Sequence, residues 1–134
     1  YLPGMRERGY GRIVNVGSIW SLRASARNLA YTMSKHALSG LTKTIATEYI
    51  EYGITCNEVC PGPIDSEMMT KIIARFANEA GVTTAEQRLR FEKTLRGKRM
   101  VTPEEVASAV IFLTRRESSG INGVSLPVDL GFIA

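Results

Sequence analysis

Histidine, tryptophan and cysteine are scarce in this 134-residue sequence, with one His, one Trp and two Cys. With His36 alone and no C-x-x-C pair, the usual imidazole and thiolate ligand sets are missing, and a metal-built site is not expected. Cys56 and Cys60 fall in the strand-like run GITCNEVCPG. Four extended residues separate them by roughly 13 Å, beyond the reach of a disulfide. Reduced, buried thiols are therefore expected, the usual state in the cytoplasm. Long apolar runs are missing as well. Nothing approaches the about 20 residues of a membrane span. The opening YLPGMRERGYG carries charges and a proline where a secretory signal has its apolar stretch.

Charge of one sign is nowhere concentrated. The net charge is +4 and the pI about 9.3, yet basic residues alternate with acidic ones in RERGYGR and KTIATEYIE. Only RLRFEKTLRGKR is dense, and Glu92 sits within it. Such scatter steers small anions mildly and does not build a groove that tracks phosphates, so nucleic-acid binding is not expected. Hydrophobic residues make up 44% and charged residues 22%, an ordinary globular balance. The length suits one compact domain, and neither repeats nor low-complexity tracts occur.

What is present is an alternation of strand and helix signals. Residues 1–8 read as the tail of a helix, closed by Gly9-Tyr10-Gly11, and RIVNV reads as a strand. GSIWSLRASARN has no sustained period and reads as a loop. From Ala30 to Tyr52 the apolar positions Ala30, Met33, Ala37, Leu38, Leu41, Ile45 and Tyr49 recur at helical spacing, with Gly53 as the cap. ITCNEVC is the second strand, ended by PGP because Pro61 and Pro63 cannot donate to a ladder. Residues 66–95 predict two helical pieces, the second capped by Thr84 with Gln87. TPEEVASAVIFLTRR is the clearest helix: Thr102 caps, Pro103 leads, Glu105 closes a capping box, and Arg115 and Arg116 occupy the last turn. GVSLPV is the last strand.

Strands alternating with helices imply an α/β fold with a parallel, doubly wound, Rossmann-like sheet. Three strands make a poor sheet, and RIVNV would be an exposed edge. The reading is therefore that residues 1–134 form one partial domain, the C-terminal portion of a larger doubly wound sheet, with a helical lid over about 66–100.

Inside the first long helix, Tyr31 and Lys35 stand one turn apart on the same face. A free phenol, with its pKa near ~10, exchanges protons poorly at neutral pH; an adjacent ammonium stabilises the phenolate. Lowering that pKa by two or three units takes roughly 3–4 kcal/mol, more than one exposed ion contact gives. A dry site and a second cation are needed. Ser18 ends the first strand and Pro61-Gly62 the second, which directs both to the crevice at the C-terminal edge of a parallel sheet.

GRIVNVGS, YTMSK and CNEVCPGPIDSEM, in that order and with VDLGF near the end, resemble the later half of a short-chain dehydrogenase/reductase, and the match runs over nearly all of the chain. The resemblance implies an NAD(P)-dependent oxidoreductase that interconverts a secondary alcohol and a ketone. Tyr31 would be the general acid/base, Lys35 would tune it and bond the nicotinamide ribose, and Ser18 would orient the substrate oxygen. Tyr31, Lys35, Pro61, Gly62, Ile64 and Ser66 would contact NAD or NADP, Ser66 standing where the family usually has Thr. Trp20, Arg23, Cys60, Pro63, Met68, Met69 and Phe76 flank the crevice and are candidates for the substrate pocket. His36 points about 100° away from Lys35 and reads as a surface or interface residue.

Each residue also fits a plainer role: Tyr31 as an interfacial aromatic, Lys35 as a solvated charge, Ser18 as a turn residue, and the flanking residues as lid packing. The sequence departs from the family pattern too. The Gly-rich turn T-G-x-x-x-G-x-G and the N-N-A-G strand are not in it, and Leu22 stands where a Gly is frequent. The chain alone is thus expected to be inactive. TCNEVCPG is similar to hydroxybutyrate dehydrogenases and to polyketide or acyl-carrier ketoreductases, which suggests a small β-keto or β-hydroxy substrate, with sugars and polyols open. A homo-oligomer is implied, since the helix from Ala30 is a dimer face in this family. A non-catalytic, self-associating module is the alternative reading.

Overall fold

The computed structural model describes residues 1–26 and 28–134. It opens with α1 (Leu2–Arg8) and β1 (Gly11–Val16), then a one-turn 3-10 helix at Ile19–Ser21 and the long α2 (Leu29–Tyr49). A 3-10 turn at Ile50–Tyr52 leads into β2 (Ile54–Pro61), and α3 (Glu67–Ala80) and α4 (Thr84–Thr94) follow. The chain ends with α5 (Pro103–Thr114), a 3-10 turn at Arg116–Ser118 and β3 (Ser125–Val128). The sheet is parallel in the order β1-β2-β3, with Val16 opposite Val59 and Leu126 opposite Val59 on the other side.

Every residue of β2 is buried, as a central parallel strand requires. Its alternate side chains go to opposite layers. Val59 joins Val14, Leu126 and Val128 beneath Val106 and Leu113 of α5. Cys56 and Glu58 face α2, where the Asn15 amide donates to Thr42 Oγ1 at 2.9 Å and Ser39 donates to Glu58. A second core of Ile73, Leu95 and Met100 holds α3 and the end of α4 together, with Met69, Phe91 and Phe132 packed on it. Helix α4 is also pinned by charge: its Arg88 guanidinium grips both carboxylate oxygens of Asp65, one at 3.0 Å, and reaches Glu92 at 2.9 Å.

The glycine signals have clear causes. Gly53 sits at φ 69, and a Cβ there would stand 2.4 Å from the Gly9 carbonyl oxygen, so no other residue fits the turn without strain. The Thr102–Glu105 capping box is formed as read from the sequence, with Glu105 N–H donating to Thr102 Oγ1 at 3.2 Å and the Glu105 carboxylate accepting from Thr102 N–H at 2.8 Å.

Several boundaries differ from the sequence reading. Thr83, not Thr84, caps α4, accepting from Glu86 N–H at 3.1 Å, since the residue just outside the helix is the one with an extended backbone. Helix α5 stops at Thr114; Arg115 is already extended, and Arg116 starts the next turn. Pro61 extends β2 instead of ending it, pairing with Val128, because the last position of a strand tolerates a missing donor. The stretch 17–28 contains a capped 3-10 turn where only loop was expected. Among the described residues, no helix is long and apolar enough to cross a membrane and no cluster of ligands could hold a metal.

Candidate active site

At the end of β1 the chain turns sharply. Gly17 N–H donates to Val59 O at 2.8 Å, and a Cβ on Gly17 would lie 1.9 Å from Glu58 Oε1. The turn needs glycine for that reason. Ser18 then caps the 3-10 turn: its Oγ accepts from Trp20 N–H at 3.2 Å, while its own N–H donates to Ser21 Oγ at 3.2 Å. Ser21 in turn donates to Glu58 Oε1 at 2.7 Å. Ser18 is thereby fixed from below with its hydroxyl proton still free for another acceptor.

The first two turns of α2 bring Tyr31 and Lys35 over this turn. Lys35 Nζ stands 5.6 Å from the centre of the Tyr31 ring and donates to Val16 O at 3.0 Å, so the ammonium is anchored at the end of β1. Tyr31 is 47% exposed, and its ring contributes to a cleft of about 520 Å³ that Ser18 also lines. Pro61, Gly62, Pro63 and Ile64 form one wall of this cleft, continued by Ser66.

That wall offers open backbone groups. Val101 bonds the residues on either side of Ile64, accepting from Asp65 N–H at 2.8 Å and donating to Pro63 O at 2.9 Å. The N–H and C=O of Ile64 itself therefore point away from Val101 and have no backbone partner among the described residues. Ser66 caps α3, its Oγ accepting from Met69 N–H at 3.3 Å, and retains a proton to donate.

Of the residues singled out in the sequence, the cleft gathers Ser18, Trp20, Tyr31, Pro61, Gly62, Pro63, Ile64, Ser66, Met68 and Met69. Lys35 stands behind Tyr31 and is not part of the wall. Arg23 and Phe76 are exposed outside it, and Cys60 is fully buried within the sheet layer. Burial, with Glu58 adding to it, pushes both thiols up to about 11. His36 is exposed, its Nδ1 within 3.0 Å of Thr32 O.

The sequence reading missed Ile19, Asn28, Ile72, Phe91 and Phe132, all of which line the cleft. Asn28 carried a signal, being an Asn directly before a helical period. Phe91 and Phe132 arrive from distant segments and left none. Glu58 was also passed over, because a carboxylate in a strand is normally placed on an outer face.

The chain matches, over residues 1–133, the family model described as Enoyl-(Acyl carrier protein) reductase. It is 37% identical to D-beta-hydroxybutyrate dehydrogenase of Rhizobium meliloti (strain 1021), over 99% of this chain and 52% of that protein. It is 40% identical to the short-chain dehydrogenase/reductase cdmF of Talaromyces verruculosus, over 96% of this chain and 50% of that one. Among solved structures it superimposes with a TM-score of 0.89 and 33% identity on the F189W actinorhodin polyketide ketoreductase with NADPH, over 96% of this chain and 49% of that chain. The chain thus spans about half the length of these relatives. A family model matched almost end to end settles the assignment: the chain belongs to the short-chain dehydrogenase/reductase family.

Proposed function

We propose that this chain carries the proton-transfer half of an NAD(P)-dependent oxidoreductase that interconverts a secondary alcohol and a ketone. The single observation that carries the reading is that Ser18 and Tyr31 share one cleft while Lys35 is anchored beside the phenol. A nicotinamide fits the residues present, because the Ile64 N–H and C=O have no backbone partner among the described residues and suit a carboxamide's acceptor and donor. When bound, it supplies the site that accepts or gives the hydride.

The residues of this chain handle the other half of the exchange. Ser18 donates its free proton to the substrate oxygen and fixes its position. As the carbinol C–H bond breaks, the Tyr31 oxygen takes the hydroxyl proton and the C=O forms; in reduction the phenol returns that proton to the oxygen. Lys35 holds positive charge beside the phenol and would bond the nicotinamide ribose. Pro61 and Gly62 would wall the nicotinamide ring, and Ser66 would bond its carboxamide.

Residues 1–134 form one partial domain, with α3 and α4 as its lid. The isolated chain is inactive for lack of a Gly-rich phosphate turn. Free buried thiols suit a reducing compartment such as the cytoplasm. The apolar stripe of Leu29, Met33 and Leu41 stays exposed on α2 and supports a homo-oligomeric assembly.

The test uses the complete protein with NADH or NADPH and a set of ketones. Tyr31→Phe should cut kcat by about 10²–10⁴-fold, the worth of a positioned acid/base, and leave the circular dichroism unchanged. A Tyr31→Phe enzyme that works at the parental rate would refute the assignment.

A further inference from the structure

We propose that the substrate end of this cleft takes a neutral, predominantly apolar ketone or secondary alcohol and turns away small hydroxy acids. This rests on the oxidoreductase reading above and names its substrate class. Two matched relatives carry D-beta-hydroxybutyrate in their names, so the lining of this chain is the deciding observation.

Beyond Ser18 and Tyr31, the substrate wall is built from Trp20, Met68, Met69, Ile72, Phe91 and Phe132. Trp20 meets Phe132 edge-on, with ring centres 6.2 Å apart. Met69, Phe91 and Phe132 are themselves seated on the buried Ile73, Leu95 and Met100. The inner part of the wall is therefore fixed by the core, while Met68 and Ile72 form its exposed rim.

Among the described residues, no Lys, Arg or His lines the cleft. The nearby cations are committed elsewhere. Arg88 is held by Asp65 and Glu92, and Lys35 is bonded to Val16 O. Lys71 and Arg75 are not in the lining of the cleft; they face an adjoining groove that shares Met68 and Ile72 with it, and pair there with Glu67 at 2.7 Å and Glu79 at 3.8 Å. The polar lining that remains outside the proposed catalytic and nicotinamide contacts is Asn28, which is neutral and donates to Ser25 Oγ at 3.1 Å. Away from the Tyr31–Lys35 end, a carboxylate meets no cation among the described lining residues and gains no ion pair for the water it gives up. An apolar body gains in proportion to the area it hides. A cleft of about 520 Å³ is also roomy for a short acid and suits a ring-sized ligand beside the nicotinamide.

The experiment measures kcat/KM of the complete protein with its nicotinamide for 3-hydroxybutyrate, ethyl 3-hydroxybutyrate and 1-phenylethanol. The ester and the aryl alcohol should exceed the acid by about a hundredfold, the scale set by an unpaired buried charge. Asn28→Lys should raise kcat/KM for the acid and lower it for the ester. Asn28 makes no side-chain cap to α2, so the helix start does not depend on it. If that variant does not fold, Ile72→Lys on the exposed rim makes the same test. An acid used as well as its ester, or a lysine variant that folds and leaves the acid unimproved, overturns the substrate class while the oxidoreductase reading stands. No nicotinamide-dependent turnover with any of the three, or with a wider set of ketones, brings down that reading and this inference together.

Discussion

Ser21 on the turn after β1 donates its hydroxyl proton to Glu58 Oε1 at 2.7 Å, across the layer to the middle of the central strand. The other oxygen, Oε2, accepts from Ser39 of α2 at 2.5 Å and from Ser125 of β3 at 2.9 Å. Glu58 is 0% exposed and, among the described residues, makes no ion pair. Three hydroxyls from three elements converge on one carboxylate, which is linked to Ser18 through the Ser21 hydroxyl.

That knot fixes the first prediction. Glu58→Ala leaves two buried donors, Ser21 and Ser39, without an acceptor, each costing about 1–3 kcal/mol, frees the half-buried Ser125 and opens a cavity besides. A loss of about 3–5 kcal/mol is expected in urea unfolding of the complete protein. Glu58→Gln keeps the shape and one acceptor oxygen, and should lose clearly less. Equal midpoints for Glu58→Ala and the parent would show that the serines do not depend on the carboxylate.

Lys35 provides the second. Its one hydrogen bond is to a strand-end carbonyl, so Lys35→Met should fold normally. Turnover should nevertheless fall by about 10²-fold or more, with a raised KM for the nicotinamide. Unchanged kinetics would return Lys35 to the status of a solvated charge.

The third concerns pH and the start of α5. Glu105 is pulled down to about 2, first by the Arg99 guanidinium at 2.6 Å and then by the Thr102 N–H. A depressed folded value means that Glu105 stabilises the fold above its ordinary value of 4.5 and that this stability fades as pH falls toward about 2. The melting temperature of Glu105→Gln should therefore lie below the parent at pH 6, and the two should converge as the solution is acidified through that window. A gap that stays constant down to pH 2 would contradict the ion pair.

The fourth uses the thiols. Both cysteines are buried and held near 11, so native protein at pH 8 should leave them unmodified by a soluble disulfide reagent. Guanidinium should release both at once. Rapid modification of the folded protein would show that β2 is accessible.

Much of this was legible because it depends on local chemistry. Thr102, Pro103 and Glu105 make their helix start within four residues, and Gly53 has its left-handed turn to itself. Helix α2 was equally plain, yet its inner face was not. The apolar residues Met33, Ala37 and Leu41 set the period and point outward, whereas Ser39, Thr42 and Ala46 are the buried ones. Periodicity finds a helix; it does not say which side faces in when that side is polar and matched to Asn15 and Glu58. The catalytic candidates were visible because Ser18, Tyr31 and Lys35 stand in motifs that resemble a known family, while Phe91 and Phe132 depend on how α4 and the last loop come together.

The grip of Arg88 on Asp65 has a mechanical consequence. Asp65 stands between Ile64 and Ser66, so the strap that lines the cleft is tied to α4 through the Arg88 guanidinium. Any swing of α4 away from the sheet tugs on the peptide groups of that strap. Phe91 of α4 and Ile64 of the opposite wall, which line the same cleft, are thereby joined through one ion pair, so neither side can shift without pulling on the other.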